Sequence, residues 1–423
     1  MKLVYSLRLI KSAPSVYSKD GAIPSLLRFK LMLKLLGDPQ TKLQNIVAIG
    51  SNGASRVAFM SAAMLSHGKS GADRCGFVCY ERWENPRELI RLGTDIIPVE
   101  DFCAAATQVN ECIKTISHTC ENPGSQPNEA VRNVVSLLSG RGISPKPTRE
   151  EIILAIACVY FASVGCSMIA VADSCGGKND PALALPTAMA AVVTGIDDVK
   201  TDSAHTLSLI RKDVREVVGA TQTSTEYAIL SGKCARESVR CAMVAKAQIK
   251  MESIGVSGVT FRYDGSTVYK LGVPLLQAMH NAAAVVALAT TLRRNKFKIS
   301  TDAVAYGISS LTKLCGGVEV VSIDPLVAVT SASNLYYVSD AVESLRVLSE
   351  KGNGKILVAS SEKPAIELQD NEFFALGHIR ELNTVLERIG NNGTAVVICH
   401  ADRLELTCRS VRDAIERRGI IHA

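Results

Sequence analysis

The stretch Ile46 to Met60, IVAIGSNGASRVAFM, constrains this chain more than any other. A short apolar run breaks at a glycine-flanked turn and continues into helix-forming residues, which predicts strand, tight loop and helix. In that order the backbone N–H groups of Ser51 to Arg56 and the positive end of the helix converge on one spot, the physical basis of a phosphate cradle. The same pattern also serves as a plain strand-to-helix turn of an α/β sheet. A loop that works on nucleotides adds a lysine for the outer phosphates and a Ser/Thr hydroxyl for Mg²⁺. Here Ala54 stands at the lysine's place, Ser55 at that of a close-approach glycine and Arg56 at that of the hydroxyl. An arginine within about 4 Å of a divalent ion is opposed by roughly 8 kcal/mol, twice the ~4 kcal/mol between unit charges at an effective dielectric near 20. Mg²⁺ and an inward Arg56 therefore exclude each other. Arg56 can instead clamp phosphate without metal, or point away.

With 423 residues the chain has room for two or three domains, each with its own core. A hydrophobic share of 47% against 21% charged residues is that of a globular protein. The net charge of +6 is spread along the sequence without a Lys/Arg run, which argues against a nucleic-acid partner. The 13 cysteines are scattered, and Cys75 and Cys79 have no second pair at ligand spacing. They read as reduced, buried thiols of a cytoplasmic protein. Ile152 to Ala172 has no charged residue, but Ser163, Gly165, Cys166 and Ser167 divide it into a buried helix and a buried strand, so no membrane span is expected.

Along the chain, helices are expected before Gly37-Asp38-Pro39, then strand 46–49, helix 54–65, strand 75–80, a loop-rich excursion to Phe102, and helices 102–116, 128–138 and 150–162. Strands 168–173 and 191–194 follow, then helix 204–217, strand 227–230 and helix 235–250. Asp264-Gly265 marks a hairpin within 259–269, and a long helix covers 275–293. From Lys298 the order strand 327–330, helix 339–350, strand 356–360, helix 379–389, strand 395–399, helix 404–418 is Rossmann-like. The expected division is 1–297 and 298–423, both built on mostly parallel sheets with helices on the two faces.

The flanks of the loop carry a family resemblance. Gly37, Asp38, Pro39, Lys42 and Leu43, followed by Gly50, Asn52 and Gly53, resemble the G-x-P-x-x-K-L connection and G-T-N-G-K-G-S loop of the folylpolyglutamate and dihydrofolate synthases, a branch of the Mur ligases. Thr148 and Glu151 resemble that family's T-[FY]-F-E segment, VADSCGGKND (171–180) its V-L-E-V-G-L-G-G-R-L-D, VTGIDD (193–198) its I-T-x-I-G-x-D-H, and LQAMHNAAA (276–284) its H-Q-x-x-N-A helix. The resemblance implies a P-loop-like central domain and a smaller Rossmann-like C-terminal domain. It also implies ATP-dependent joining of a folate-like carboxylate to glutamate through an acyl phosphate, with ATP and Mg²⁺ as cofactors.

Carried over residue by residue, the resemblance puts nucleotide at Gly50, Ser51, Asn52, Gly53, Ala54, Ser55, Arg56, Asn281 and Asn334, and metal at Asp173 and Asp198. Lys212 falls on the family's carbamylated lysine and His280 on its catalytic helix. Each also has a plain structural reading: a strand-end aspartate, a solvated helix lysine, a packed histidine. Departures accumulate at the nucleotide. The loop loses its lysine and hydroxyl, the W-P-G-R segment becomes Leu314-Cys315-Gly316-Gly317, and L-D-G-A-H-N-P becomes VTSASNL (329–335), keeping only Ala332 and Asn334. Asp198 occupies or adjoins the place of a histidine ligand. Changes at four parts of one ATP site predict weakened ATP and Mg²⁺ binding and impaired ligase activity; the alternative is a non-catalytic subunit that partners a working ligase.

Overall fold

A computed structural model describes residues 2–15, 24–50, 53–80, 85–122, 124, 128–173, 177–196, 207–265, 267–312, 318–331, 335–349, 356–360, 372–376, 381–390, 393–399 and 404–417. Its contacts divide the chain into two compact units. The first comprises Met1–Glu81, Asn85–Ala245 and Ala284–Gly307; Lys246–Ala283 and Ile308–Ala423 make up most of the second.

The first unit opens with helices α1 (Lys2–Lys11) and α2 (Leu26–Leu35), then strand β1 (Gln44–Ile49) and helix α3 (Ala54–Ser66). Strands β2 (Gly76–Val78), β3 (Ile90–Leu92) and β4 (Asp95–Ile96) are followed by helices α4 (Val99–Glu121), α5 (Glu129–Gly140) and α6 (Arg149–Ser163). Then come β5 (Met168–Ala172), β6 (Ala190–Val193), β7 (Glu216–Gly219), helix α7 (Ser224–Glu237) and β8 (Arg240–Met243). Among the described residues these strands form one eight-stranded sheet in the order β4-β3-β2-β5-β1-β6-β7-β8. It is parallel from β2 to β8, and β3 and β4 extend it antiparallel at one edge. The uncharged run 152–172 is indeed helix then strand: α6 is buried from Arg149 to Phe161, and β5 is buried after its first residue.

Helix α3 is buried along its whole length. One side packs on β1, β2 and β5. The helix also meets Gly307, where an added Cβ would lie 2.6 Å from the Met60 carbonyl and 2.7 Å from the Met64 Cβ. A helix enclosed in this way has no polar face to present, which matches the apolar and small residues of VAFMSAAML.

The order of elements between 204 and 250 differs from expectation. Residues 204–206 lie outside the described residues, and 207–209 form a single 3-10 turn before strand β7. The expected strand 227–230 is the middle of helix α7, and the expected helix 235–250 holds the end of α7, strand β8 and the start of a further strand. A capping box explains the reversal. Thr223 accepts from the Glu226 N–H at 3.3 Å while the Glu226 carboxylate accepts from the Thr223 N–H at 2.6 Å, so the helix starts at Ser224. Left-handed Ser238 (φ 56°) ends it and frees Arg240–Met243 for the sheet edge.

The second unit contains β9 (Ile249–Gly255), β10 (Gly258–Tyr263) and β11 (Thr267–Leu271), an antiparallel sheet whose second hairpin turns at Asp264-Gly265 as expected. Helix α8 (Leu276–Arg294) begins in this unit, and helix α9 (Thr301–Ser309) ends in it. Strands β12 (Val318–Ile323) and β13 (Leu326–Ser331), helix α10 (Leu335–Leu348), β14 (Ile356–Ser360), β15 (Glu372–Ala375), helix α11 (Leu382–Ile389), β16 (Thr394–Cys399) and helix α12 (Leu404–Arg417) complete it. The sheet order is β12-β13-β16-β14-β15, and β12 pairs antiparallel with β13. This sheet is therefore mixed at one edge and otherwise parallel, in keeping with the mostly parallel sheet expected. A two-residue connection at Asp324-Pro325 permits only a hairpin, since a parallel return needs a crossover. One face, including Val327, Val329, Leu357 and Val397, packs on Leu382, Leu386, Val411 and Ile415 of α11 and α12.

Candidate functional site

Strand β1 ends at the carboxyl edge of the large parallel sheet, and Gly50 follows it with φ +132°. A Cβ there would lie 2.5 Å from Thr194 Oγ1 and 2.6 Å from the Gly195 carbonyl, so only glycine lets the chain pass this close to the end of β6. Backbone pairing continues past the strands. The Asp173 N–H donates to the Ala48 carbonyl and the Thr194 N–H to the Ile49 carbonyl, both at 2.8 Å. Gln222 Nε2 donates to the Thr194 carbonyl at 2.6 Å, tying the end of β6 to the segment after β7. Gly53, left-handed at φ 94°, then turns the chain into α3, whose first residues Ala54, Ser55 and Arg56 are buried. Ser51 and Asn52, between them, lie outside the described residues.

Asp173 stands at the end of β5, where its Oδ1 accepts from the Gly50 N–H at 3.2 Å. Burial holds its carboxyl well above the usual range, the nearby Asp180 charge adds to this, and the Gly50 hydrogen bond opposes it. Asp180 is itself buried and caps the turn Pro181–Ala184, accepting from the Ala182 N–H at 2.8 Å. Mg²⁺ requires near-octahedral oxygen ligation. Among the described residues no group of three or more His, Cys, Asp and Glu side chains is arranged to hold a metal, and Asp198 lies outside them. A glycine-bordered turn opening into a helix N-terminus fits an anion.

Lys212 is not on a helix. It occupies an exposed turn four residues before β7, and since β7 runs parallel to β6 and β1, that turn lies at the amino edge, opposite Gly50. Thr148 and Glu151 have structural work. They form the capping box of α6, and the Glu151 carboxylate also takes the Arg28 guanidinium at 2.5 and 3.1 Å and the Ser25 N–H at 3.0 Å. Burial pushes Glu151 up, and Arg28 pulls against that.

Within the second unit, the start of α8 is closed by side chains of α10. Asp340 Oδ1 accepts from the Gln277 N–H at 3.0 Å and Ser344 Oγ from the Leu276 N–H at 3.1 Å, while Ser344 donates to Asp340 at 3.3 Å. Asn281 is fully buried one turn further on, and His280 is half-buried. Burial lowers the His280 pKa, the Lys246 charge adds to this, and Asp340 opposes it. Asn334 lies outside the described residues. Nothing local in the sequence marks Asp340 and Ser344 as caps for a helix more than sixty residues earlier; their i, i+4 spacing on one helix face is the only trace.

Neither a protein-family model nor a curated protein matches the sequence. Solved structures do. The apo folylpolyglutamate synthase of L. casei superposes with a TM-score of 0.71 at 16% identity over 98% of this chain and 100% of that one. Mycobacterium tuberculosis folylpolyglutamate synthase complexed with ADP gives 0.66 at 20% identity over 98% and 87%. A folylpolyglutamate synthase in complex with AMPPCP and folate gives 0.72 at 17% identity over 97% and 99%. At such identities the likeness is one of architecture, and over nearly its whole length this chain has the two-domain Mur-ligase fold of the folylpolyglutamate synthases.

Proposed function

We propose that the chain holds a phosphate-bearing ligand at the Gly50–Arg56 edge without Mg²⁺ and has lost most or all ATP-driven ligase activity. The observation that carries this reading is the first turn of α3, where Ala54 and Arg56 are buried at positions that need a lysine ammonium and a metal-binding hydroxyl. Binding of an anion is supported by the glycine turn and the helix N-terminus, and a folate-like acceptor by the AMPPCP–folate complex of the similar synthase. When bound, ATP would supply the phosphoryl group that activates a carboxylate. The chain's own part would be to grip phosphate with backbone N–H groups, with Arg56 as the nearest cation in sequence.

Each charge-assisted phosphate contact is worth about 1.5–3 kcal/mol, so the loss of several makes nucleotide binding weak. Calorimetry with ATP, with and without Mg²⁺, tests this. Weak binding that is indifferent to Mg²⁺ is expected, together with no folate- and glutamate-dependent phosphate release. Mg²⁺-dependent micromolar binding, or substrate-dependent turnover, overturns the proposal.

A further inference from the structure

At the amino edge of the large sheet, opposite Gly50, separate segments of the first unit bring their cations together. Residues 211–215 lead into β7, and Arg240, the first residue of β8, stands in register with Glu216. The end of α8 reaches the same place. Arg294 pairs with Glu216 at 3.3 Å, and Asn295 Nδ2 donates to the other carboxylate oxygen at 3.1 Å. The acids of these segments are all held: Glu216 in this way, Asp213 by Arg211 at 3.8 Å and by the Thr187 hydroxyl, Glu237 by Lys233 at 2.7 Å. Lys212, Arg215, Arg240, Lys296 and Lys298 are exposed and, among the described residues, have no carboxylate within 4 Å. A helix C-terminus favours cations in its last turn, which accounts for Arg293 and Arg294. It does not account for Arg215 and Arg240, which stand where strands begin.

We propose that this basic edge is a docking surface for an acidic peptide segment of a partner protein, whose carboxylates Arg215, Arg240 and the lysines after α8 receive. The planar fork of arginine matches a carboxylate, and the edge already holds one in this manner at Glu216. Complementary charge of this kind steers and orients a partner. A nucleic acid fits less well. None of the large exposed apolar side chains falls in these segments to stack a base, and exposed Asp213 opposes a backbone charged at every step. A peptide can space its carboxylates around Asp213. The surface lies at the edge opposite Gly50, so it is independent of a phosphate ligand there.

The test is fluorescence anisotropy of a labelled oligo-glutamate peptide with the full-length protein at ~0.1 M ionic strength, where charges more than about 10 Å apart are screened. An oligo-glutamine peptide is the uncharged control, and each variant is checked for fold by circular dichroism. Wild type is expected to bind the glutamate peptide and not the glutamine one. Arg215→Glu/Arg240→Glu should weaken binding about tenfold, and Lys298→Glu about threefold. Lys2→Glu/Arg8→Glu makes the same change of net charge on α1, which packs on α4 and α6; α6 lies against β2 and β3, towards the other end of the sheet. That pair should leave the affinity unchanged. Failure of wild type to bind, or equal weakening by the α1 pair, overturns the surface, and so does unchanged affinity in Lys298→Glu even if the double variant misfolds. Competition by ATP would put the peptide at the Gly50 edge instead and overturn the placement. Tighter binding of a duplex oligonucleotide than of the peptide overturns the choice of partner.

Discussion

At the start of α3 the chain arrives through Gly53, which has no side chain to cap the helix, and the first turn carries no acidic residue. At the start of α8 the first two N–H groups are taken by Ser344 and Asp340, a hydroxyl and a carboxylate supplied by the chain itself. Both termini offer backbone donors and a positive dipole end, and both fall on stretches that resemble nucleotide-contacting segments of the synthases. The difference teaches that an internal carboxylate can occupy at one helix N-terminus the position that the other leaves without a side-chain cap. Asp340 makes α8 a structural joint, and on the proposed reading the glycine turn leaves α3 as the place for an external anion.

The largest expected effect comes from breaking the edge that presents α3. Gly50→Ala puts a methyl group against Thr194 and the Gly195 carbonyl at a φ that side chains avoid, and should cost roughly 3–4 kcal/mol. Gly37→Ala, with φ +82° but nothing within 4 Å, is the control at about 1 kcal/mol. Thermal unfolding of the two variants side by side measures the gap, and equal losses would show that backbone strain rather than close approach governs the edge.

Next in size is a rebuilt loop. The triple change Ala54→Lys, Ser55→Gly, Arg56→Ser should tighten MgATP binding by about 1.5–3 kcal/mol, one charge-assisted contact, yet produce no folate-dependent phosphate release. Restoring one grip leaves donor phosphate and acceptor carboxylate unaligned. Phosphate release above a matched control would mean that the loop alone had silenced a ligase.

Uncapping α8 sharpens the comparison from the other side. Asp340→Ala should lower stability by about 1–2 kcal/mol and make the variant respond to added phosphate or sulfate with a rise in Tm that wild type lacks. An identical anion response in both proteins would show that Asp340 does not occupy an anion position.

The smallest effect is electrostatic. Burial raises the folded pKa of Asp173, so the native state binds a proton over a range where the unfolded chain, with a carboxylate pKa of ~3.9, has released it. The stability this provides is complete below the unfolded value and is lost as pH rises through the folded one. Asp173→Asn retains an acceptor for the Gly50 N–H and removes the charge, so at pH 7 it should gain about 1 kcal/mol, or roughly 2–4 °C in Tm, and flatten the pH slope. A lower Tm at pH 7 would show that the carboxylate is stabilised in the fold.

Local patterns in the sequence were sufficient where local physics dominates. The run IVAIG before a helix-forming stretch specified β1 and α3, and the uncharged run 152–172 with its Ser163–Ser167 interruption specified a buried helix followed by a buried strand, because apolar pattern and glycine conformations act over a few residues. The same reasoning misread 204–250. There the apolar runs suit either a strand or a buried helix, and a second capping box at Thr223 and Glu226 decided the matter. Lys212, expected within helix 204–217, sits instead in the turn before β7, at the opposite edge of the sheet from Gly50.

The sequence by itself determined the α/β class, the glycine turn at the head of the chain's most constrained segment, and the absence of the loop lysine and hydroxyl, all of which are properties of residue type and spacing. Only tertiary structure decided that Gly50 runs against Thr194 and that Asp340 and Ser344 close α8. Those meetings join residues that no short-range pattern links: strands 1 and 6 are neighbours in space though not in order, and one carboxylate reaches a helix start 63 residues away. Chain connectivity carries no record of such distances, because the packing of whole sheets and helices sets them.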